Sequence, residues 1–544
     1  MLITLAAPAF AATWRIEDGD ITVKAGETEG TNKVSQGTNK DVVDTDTIIT
    51  NRDKNTASSH TVTIDAEDHK VEVTLDNVNI KADSGSALTS KGDVTLTLKG
   101  DNHLTGGNGD TYGGDGIAST GSLTISGGET DSLTAQGGSG ENGGDGISSK
   151  DLTISGGTVT ATGGNSTGIV GSGGSGIHSG GDVAISGGTV TATGGDSTGS
   201  DGSGGYGIYS SSTTTISGGT VTANGGDSKD GDGGNGGNGG YGIYSSGVTI
   251  SGGTITANGG SGKDGSGDGI FSFDPVAISG GTVTAKGGSG EDGSGGRGII
   301  STKSVTISGG TVNANGGSGK NGNGGNGIIG SGRVAISGGT VEAAGGNGST
   351  GGGSGIYSSV IDLSGSLELT AKAGSPNGKA LSQRGNELDL NTIKDKLGPG
   401  AKVTTTDADG KVIDQVPIPR PVEPEKPVIP GESSSSSDGG SSAPSAPASS
   451  LPGLTVTDKS GAVISYTSTQ SGNTLTVCVG RFTASLHASL SALRQLRAEG
   501  IETIAFQTVL CSTTLSVDEL LAMGGEDAEA VLTHRLTDSS LTVG

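Results

Sequence analysis

A nine-residue phrase returns down the middle of this chain, and its regular return limits the fold more than any other feature. The sequence reads TISGGTVTA at 153–161, and a degenerate copy begins at 124. Copies with at most two substitutions lie at 184–192, 215–223, 249–257, 277–285, 306–314 and 335–343. Successive copies are 28 to 34 residues apart. Repeats of this length indicate a solenoid, in which each coil stacks on the one before it.

Each repeat contains three short strand signals. Ile154, Val159 and Ala161 are apolar, and threonines alternate with the last two, which is the period-two pattern of a strand with one buried face. The Gly-Gly pair between Ile154 and Val159 predicts a corner, because glycine reaches positive φ without steric cost. A third strand is predicted at each recurring Gly-Ile. The isoleucines of this motif are Ile117, Ile147, Ile177, Ile208, Ile243, Ile270, Ile299, Ile328 and Ile356.

These signals predict an all-β fold, a right-handed parallel β-helix of roughly eleven coils, followed by a small C-terminal α/β module. The β-helix is assigned to 13–384, and 385–416 is predicted to close its C-terminal end with a short helix and a hairpin. An N-terminal cap is expected because an open end would expose an unpaired strand edge. The predicted core residues of this cap are Trp14, Ile16, Ile21 and Val23.

Coils are also predicted upstream of the phrase, in 71–88 and 93–107, where apolar and polar residues keep the same alternation. The inward residues there are Leu75, Val78, Ile80 and Leu88. The chain contains 110 glycines, and glycine loses more conformational freedom on folding than any other residue. We therefore expect the glycine-rich connections to be mobile unless an ion or a ligand orders them.

The two ends of the chain differ from the repeats. Residues 1–12 resemble the tail of a signal peptide, with Ala9-Phe10-Ala11 fitting the small-x-small cleavage rule, and this favours an extracellular or cell-surface location. A Pro/Ser/Gly linker is assigned to 417–453, and a small α/β accessory domain to 454–544. That domain is predicted to contain strands at 474–480 and 502–508 and helices at 483–500 and 516–522. Export would allow a disulfide between Cys478 and Cys511, but the sequence leaves their pairing open.

Charge and hydropathy exclude two classes of partner. The formal net charge is −25, which argues against nucleic acid, because a phosphate-binding protein needs a basic face. No stretch is long and apolar enough to span a bilayer. The sequence therefore predicts an acidic, exported protein without a transmembrane segment.

The sequence predicts no enzyme and no catalytic residue. GNSTG at 164–168 and GDSTG at 195–199 match G-x-S-x-G, but they lie in glycine loops without the strand–turn–helix context of a nucleophile elbow. A polysaccharide lyase is the enzymatic alternative. It would need a clustered cationic base beside metal-binding carboxylates, whereas the cations here, such as Lys263, Arg297 and Lys320, are scattered.

Acidic residues in the repeats are candidate calcium ligands. Asp115, Asp145 and Asp268 precede Gly-Ile at equivalent positions, and Asp264 lies in a glycine-rich connection. Carboxylates and backbone carbonyls on loops are the ligands that calcium takes. The alternative is a solvated acidic face that only keeps the rod soluble.

Aromatic residues flank the Gly-Ile motif on neighbouring coils. If each isoleucine points inward, the residue after it points outward, and an outward aromatic strip suits stacking on sugar rings or contact with a protein. Simple ladder stacking that stabilises the sheet is the alternative. The predicted ligand-binding residues are Tyr206, Tyr209, Tyr241, Tyr244, Phe271 and Tyr357.

The coils resemble a known family. The segments TLDNVNIKADSGSAL at 74–88, GDVTLTLKGDNHLTGG at 92–107 and GDGIASTGSLTISGG at 114–128 are similar to bacterial carbohydrate-binding β-helix proteins, over roughly 14–381. This resemblance implies a secreted protein that binds polysaccharide, with polygalacturonate and calcium as the ligands of the known member. Residues 454–544 resemble accessory domains of surface proteins from Gram-positive gut bacteria.

The predicted function is therefore carbohydrate binding at the cell surface or outside the cell, with an acidic plant or mucosal polysaccharide as the ligand. Two alternatives stay open. One is a structural surface protein or adhesin that binds a protein partner, and the other is the polysaccharide lyase.

Overall fold

The computed structural model describes 11–228, 237–418 and most of 454–543, and these residues form two compact units, within Met1–Pro424 and Glu425–Gly544. The gaps in the second unit are 459–461, 465, 472, 480–482, 509–511, 524–528 and 535–538. Residues 1–10 of the predicted signal peptide, most of the linker, and Cys511 lie outside the described residues. The disulfide therefore stays a prediction.

The first unit is a parallel β-solenoid of about 14 turns, so the parallel β-helix is confirmed and the count of roughly eleven is wrong. The prediction counted coils by the recurring phrase and undercounted those that lack it. Coils near both ends keep the strand pairing without the phrase, as at Asn79–Lys81 and Lys402–Thr406. The second of these strands lies in the segment assigned to the C-terminal cap.

Each coil has three strand positions, which we name faces A, B and C in chain order. Face A begins at the Gly-Ile motif, face B ends at the Ser-Gly-Gly corner, and face C follows that corner. Strands of faces A and B belong to one 25-stranded sheet, and face C belongs to a 13-stranded sheet. Four long strands continue from face A through face B: Val62–Asp76, Leu88–Lys99, Ile208–Ile216 and Ile243–Ile250.

The remaining strands of the coils are short. Those of face A are Ile117–Ser119, Ile147–Ser149, Ile177–Ser179, Ile270–Ser272, Ile299–Ser301, Ile328–Gly330, Ile356–Ser358 and Leu381–Gln383. Those of face B are Ser122–Ser126, Asp151–Ile154, Val183–Ile185, Val276–Ile278, Ser304–Ile307, Arg333–Ile336 and Ile361–Leu363. Those of face C are Asn79–Lys81, Asp101–Thr105, Ser132–Gln136, Thr158–Thr162, Thr189–Thr193, Thr220–Asn224, Thr254–Asn258, Thr282–Lys286, Thr311–Asn315, Thr340–Ala344, Glu368–Lys372 and Lys402–Thr406.

The corner between faces B and C depends on its second glycine. Gly157 has φ of 79° and Gly281 has φ of 79°, a region that L residues with side chains rarely adopt. The first glycine of the pair is needed for a different reason, because a Cβ on Gly156 would lie 2.5 Å from the carbonyl oxygen of Gly127. The predicted glycine corner is therefore confirmed, with a separate role for each glycine.

Inward side chains stack in columns along the solenoid. The register pairs Ile154 with Ile185 on face B and Val159 with Val190 on face C, and both columns are buried. The predicted face B ladder is continuous, since each member pairs with the next: Ile154, Ile185, Ile216, Ile250, Ile278, Ile307 and Ile336. The aliphatic core thus follows from the repeat.

Backbone hydrogen bonds between glycines join the glycine-rich connections of neighbouring coils in the described residues. The expected mobility of the residues between these glycines stays a prediction. Most coils have one glycine pair leaving face C and a second pair returning to face A, and in the coil that returns before Ile270 a single glycine, Gly267, takes the place of the second pair. The Gly226 N–H donates to Gly205 O at 2.8 Å, Gly240 to Gly226 O at 2.9 Å and Gly260 to Gly240 O at 2.7 Å. The same zigzag runs from Gly107 to Gly374. The glycines form a fourth stacked column whose contacts are backbone to backbone.

Both ends of the solenoid are closed by hydrogen-bonded caps. At the N-terminal end the buried Trp14 donates from Nε1 to Asp44 Oδ2 at 2.8 Å. The N-terminal elements are Thr13–Arg15, the 3₁₀ turn Ile16–Asp18, Ile21–Ala25, Asn32–Gln36, Asn39–Asp44 and Ile48–Thr50. The C-terminal elements are Asn386–Glu387, the 3₁₀ turns Leu390–Thr392 and Lys394–Lys396, and Val412–Pro417, which pairs antiparallel with Lys402–Thr406.

The second unit contains two four-stranded sheets in its described residues. The first holds Leu454–Thr457, Ala484–Ser489, Glu529–His534 and Ser539–Val543, and the second holds Thr467–Ser471, Thr474–Cys478, Thr503–Gln507 and Ser512–Ser516. The helix predicted at 483–500 is wrong in its first half. Residues 484–489 form a strand because Ala484, Leu486 and Ala488 alternate with polar residues, and the helix is Leu490–Ala498. A second helix spans Val517–Met523.

Candidate functional site

Two outward columns run beside the inward isoleucines of face A. The plus-one column contains the residue after each isoleucine, and the register pairs His178 with Tyr209, Tyr209 with Tyr244, and Tyr244 with Phe271. The minus-two column contains the residue two positions before each isoleucine. Its members are Asp115, Asp145, Ser175, Tyr206, Tyr241, Asp268, Arg297, Asn326 and Ser354. Predicted metal ligands and predicted aromatic ligands thus occupy the same column on different coils.

Six aromatic side chains form a continuous cluster, which we call the aromatic ridge. It consists of Tyr206, Tyr209, Tyr241, Tyr244, Phe271 and Phe273. In the plus-one column the rings stack nearly parallel, with centroids 5.3 Å apart for Tyr209 and Tyr244 and 5.1 Å apart for Tyr244 and Phe271, each pair at 9°. In the minus-two column Tyr206 and Tyr241 stack at 5.6 Å and 5°.

The ring faces of the ridge are used within the protein. Tyr206 lies 5.2 Å from Tyr244 in a stacked arrangement, so the two columns also contact each other. His178 and Phe273 meet the two ends of the plus-one stack edge-on, at 81° to Tyr209 and 81° to Phe271. Offset and edge-to-face pairs are the favoured arrangements of aromatic rings. The ring faces are therefore largely covered by one another, which differs from the predicted stacking of sugars on exposed ring faces.

The ridge differs from the predicted set at two positions. Tyr357 belongs to the plus-one column, but Ile300 and Ile329 separate it from Phe271, and these two are only 9% and 8% exposed. Phe273 was not predicted, because it lies beyond the repeated motif. It is 44% exposed and is the most accessible ring of the ridge.

A titratable pair and a histidine lie at one end of the ridge. Asp115 Oδ1 accepts the Asp145 backbone N–H at 2.7 Å, and Asp145 Oδ2 lies 2.8 Å from His178 Nδ1. Burial, and secondly the charge of Asp145, raise the pKa of Asp115 to about 7. The hydrogen bond that His178 donates to Asp145 raises the pKa of His178. This end can therefore exchange protons near neutral pH.

A buried acid lies at the other end. Asp268 is 1% exposed, its Oδ1 accepts the Arg297 backbone N–H at 2.6 Å, and its Oδ2 lies 3.5 Å from Arg297 Nη1. Burial raises the pKa of Asp268 to about 6 against the opposing charge of Arg297. Burial raises the pKa of Tyr241 to about 12, and the charge of Asp268 acts in the same direction. The phenol is therefore neutral at physiological pH and can both donate and accept hydrogen bonds.

The structure explains the acidic positions without a metal. Asp115, Asp145 and Asp268 each use Oδ1 to accept a backbone N–H from the next coil. Asp264 is exposed in a connection, and the acid pair lies several coils away from it. In the described parts of the chain, no group of three or more His, Cys, Asp or Glu could hold a metal ion. The four predicted ligands are not brought together, and calcium binding stays a prediction.

The serines of the G-x-S-x-G matches are structural in their local contacts. Ser166 and Ser197 are fully buried, and their Oγ atoms donate to the carbonyl oxygens of Glu141 and Gly171. A buried hydroxyl committed to a backbone carbonyl is not placed as a nucleophile.

Sequence comparison supports the repeat fold. Four segments match the model of a β-helix repeat: 183–208, 248–270, 276–299 and 305–328. Comparisons with curated proteins and with solved structures gave no match. Within the described residues, no helix is long and apolar enough to cross a membrane. The chain is thus similar to β-helix repeat proteins over these four segments, which contain one residue of the ridge, Tyr206.

Proposed function

We propose that this chain is an exported, non-enzymatic β-helix protein that binds a polysaccharide along the aromatic ridge. The observation that carries the proposal is the ridge itself, six aromatic rings joined along the outer surface of face A. Its rings lie on three successive coils, two of which carry phenols, at a spacing of about 4.8 Å. This spacing is comparable to the length of one sugar residue. Successive sugar residues of a polysaccharide can therefore contact aromatic residues on successive coils.

The chemistry of the ridge suits sugars better than it suits a purely apolar partner. Tyrosine combines an apolar ring with a polar tip, and such groups can contact both the C–H and the O–H groups of a sugar. His178 at one end and Arg297 at the other add hydrogen-bond donors. The rings are fixed by mutual stacking, so little conformational freedom is lost when a ligand binds.

The charge of the protein bears on the kind of polysaccharide. An acidic glycan would approach a chain of net charge −25 and the carboxylates of the minus-two column, and like charges repel. A polyuronate would therefore bind better when calcium or another divalent cation bridges the two anions. We expect polygalacturonate retention to rise with calcium, and retention of a neutral glycan to be insensitive to it.

The test removes the hydroxyls while keeping the rings. The full chain with Tyr206, Tyr209, Tyr241 and Tyr244 all changed to Phe keeps the stacking, so its Tm should change little. Each lost hydrogen bond is worth about 1 kcal/mol, so polysaccharide retention in affinity electrophoresis should weaken at least tenfold. Tyr112→Phe is the matched control, because Tyr112 is 72% exposed and lies outside the ridge. Unchanged retention by the folded quadruple variant would remove the ridge as the binding site.

A further inference from the structure

Face C carries a second regular surface, which we call the threonine array. Two outward columns hold threonine on five consecutive coils, and the register aligns them without a shift. The first column is Thr158, Thr189, Thr220, Thr254 and Thr282, and the second is Thr160, Thr191, Thr222, Thr256 and Thr284. The array lies on the 13-stranded sheet, whereas the ridge lies on the 25-stranded sheet.

The array is a nearly regular lattice. Outward residues along a strand repeat at about 6.7 Å, and neighbouring coils at about 4.8 Å. Coil lengths vary from 28 to 34 residues, but the pairings on face C between Ser132–Gln136 and Thr340–Ala344 contain no bulge. The extra residues lie outside these strands. Threonine is β-branched and stiff at χ1, so its hydroxyl and methyl groups are already positioned.

The centre of face C is uncharged in an acidic molecule. The ten-residue segments 155–164, 186–195, 217–226 and 251–260 contain only Ser, Gly, Thr, Val, Ile, Ala and Asn. Charged outward residues of face C lie beyond these four segments, at Asp101 upstream and at Lys286, which is in a third outward column on the last strand of the array. With a net charge of −25 elsewhere in the chain, side-by-side association of two copies through this face would be opposed by repulsion. A neutral partner has no such penalty.

We propose that the threonine array binds the surface of an ordered, neutral polysaccharide, such as cellulose or chitin. Such a surface repeats hydroxyl and C–H groups in two dimensions, as the array repeats hydroxyl and methyl groups. Each threonine contact is weak, and many simultaneous contacts on a rigid lattice add up to stable binding. The array does not depend on the ridge, so either site can fail without the other.

The experiment is co-sedimentation of the full chain with microcrystalline cellulose and with insoluble chitin. The test variant is Thr191→Lys, Thr222→Lys and Thr256→Lys together, and lysine is compatible with the fold because Lys286 and Lys372 already occupy outward positions of face C. Wild type should sediment with at least one of the two polysaccharides. The triple lysine variant should bind at least tenfold more weakly.

Two further variants make the result specific. Valine at the same three positions keeps the shape and the strand propensity and removes only the hydroxyls, so it should also weaken binding and serves if the lysine variant does not fold. The quadruple Tyr-to-Phe ridge variant should sediment as wild type does. The triple variants should retain soluble polygalacturonate as wild type does, which separates this site from the ridge.

Three outcomes would overturn the proposal. The first is equal sedimentation of wild type and the folded triple variants. The second is no sedimentation of wild type with either polysaccharide. The third is concentration-dependent association of wild type alone that the lysine variant abolishes, which would assign the face to contact between copies.

Discussion

Each coil joins two regions that stack for opposite reasons. In the strands, Ile278 is 1% exposed and pairs with Ile250 and Ile307, so the column needs the volume of its side chains. In the glycine connections, a Cβ on Gly240 would overlap the carbonyl oxygen of Gly205, so this column needs the absence of side chains. The same 28-to-34-residue repeat thus holds one column together by apolar burial and the other by backbone hydrogen bonds.

The comparison teaches where the fold can vary. A strand column tolerates one aliphatic residue in place of another, as when Ile255 stands between Val221 and Val283. The glycine column accommodates connections of different length, although residues between the paired glycines also bridge neighbouring coils, as Ser166 does with Ser197. Differences in coil length lie in the connections and, by one residue, between faces A and B, as at the register shift between Ser210 and Thr213. The strands of face C stay in register.

The largest effect is expected from a charge in the strand column. Ile278→Asp would bury an unpaired carboxylate and should cost more than about 4 kcal/mol of unfolding free energy. Ile278→Val is the control and should cost about 0.5 to 1.5 kcal/mol. Because solenoids can unfold locally, hydrogen exchange of the coils around 250–307 is the measurement to combine with denaturant unfolding. An Asp variant that matches wild type in both would show that this column does not hold the core.

A smaller loss is expected in the glycine column. Gly240→Ala must displace the Gly205 carbonyl, which also accepts the Gly226 N–H at 2.8 Å, and overpacking of this kind costs about 1 to 3 kcal/mol. Gly247→Ala is the matched control, since its Cβ would find only Thr213 at 3.5 Å. That control should be neutral or stabilising by about 0.4 to 1 kcal/mol. Equal effects of the two changes in denaturant unfolding would mean that the glycine column is not closely packed.

The strand columns could be predicted from the sequence, because they depend only on the local periodicity of apolar and polar residues. The inward column of Ile278, the corner at Gly281 and the outward column of Tyr244 all follow from counting residues along the repeat. The glycine column does not, because its hydrogen bonds join segments such as Gly226 and Gly240 whose pairing depends on the cross-section of the coil. The predicted number of turns is too low because coils near both ends of the solenoid lack the nine-residue phrase.

The sequence predicts most residues of the candidate site, but it does not predict how their side chains are arranged against one another. The aromatic residues were found from their column, but the mutual stacking that covers their faces depends on side-chain directions. The sequence assigns Asp145 to calcium, whereas in the structure Asp145 contacts His178. The two residues belong to different columns on neighbouring coils, and the repeat period alone does not predict a contact between different columns. Phe273 carried no signal, since it follows the motif in one coil only.

The pH dependence of stability tests the boundary between a glycine connection and the strand of face A that follows it. Asp115 lies at this boundary, two residues before Ile117. The pKa of Asp115 is about 7 in the fold against an ordinary 3.8, so the folded state holds its proton longer and stability falls as pH rises through this window. The raised pKa of His178 acts in the same direction, since its contribution is lost as pH rises through the folded value.

Asp115→Asn keeps the oxygen that accepts the Asp145 N–H and removes the titration. We expect the Tm of this variant to exceed that of wild type by a few degrees, on the order of 1 kcal/mol, at pH 8 and to match it at pH 4. Comparing the two proteins cancels the titration of the other acids. Parallel Tm curves across pH 4 to 8 would show that Asp115 titrates normally.

The smallest expected effect is that of calcium. The predicted ligands Asp115, Asp145, Asp264 and Asp268 do not share one site, and three of them already accept backbone hydrogen bonds. A single ion would find few free oxygens, so its dissociation constant should be no tighter than about 10⁻⁴ to 10⁻³ M. At about 1 mM calcium this gives a stabilisation of at most roughly 0.4 to 1.4 kcal/mol. Thermal unfolding with calcium, with magnesium and with chelator is the measurement, and Asp264→Asn is the variant that keeps the buried column intact. A rise in Tm well above a few degrees, specific to calcium and lost in that variant, would mean that the connections are ordered by an ion as well as by their glycine hydrogen bonds.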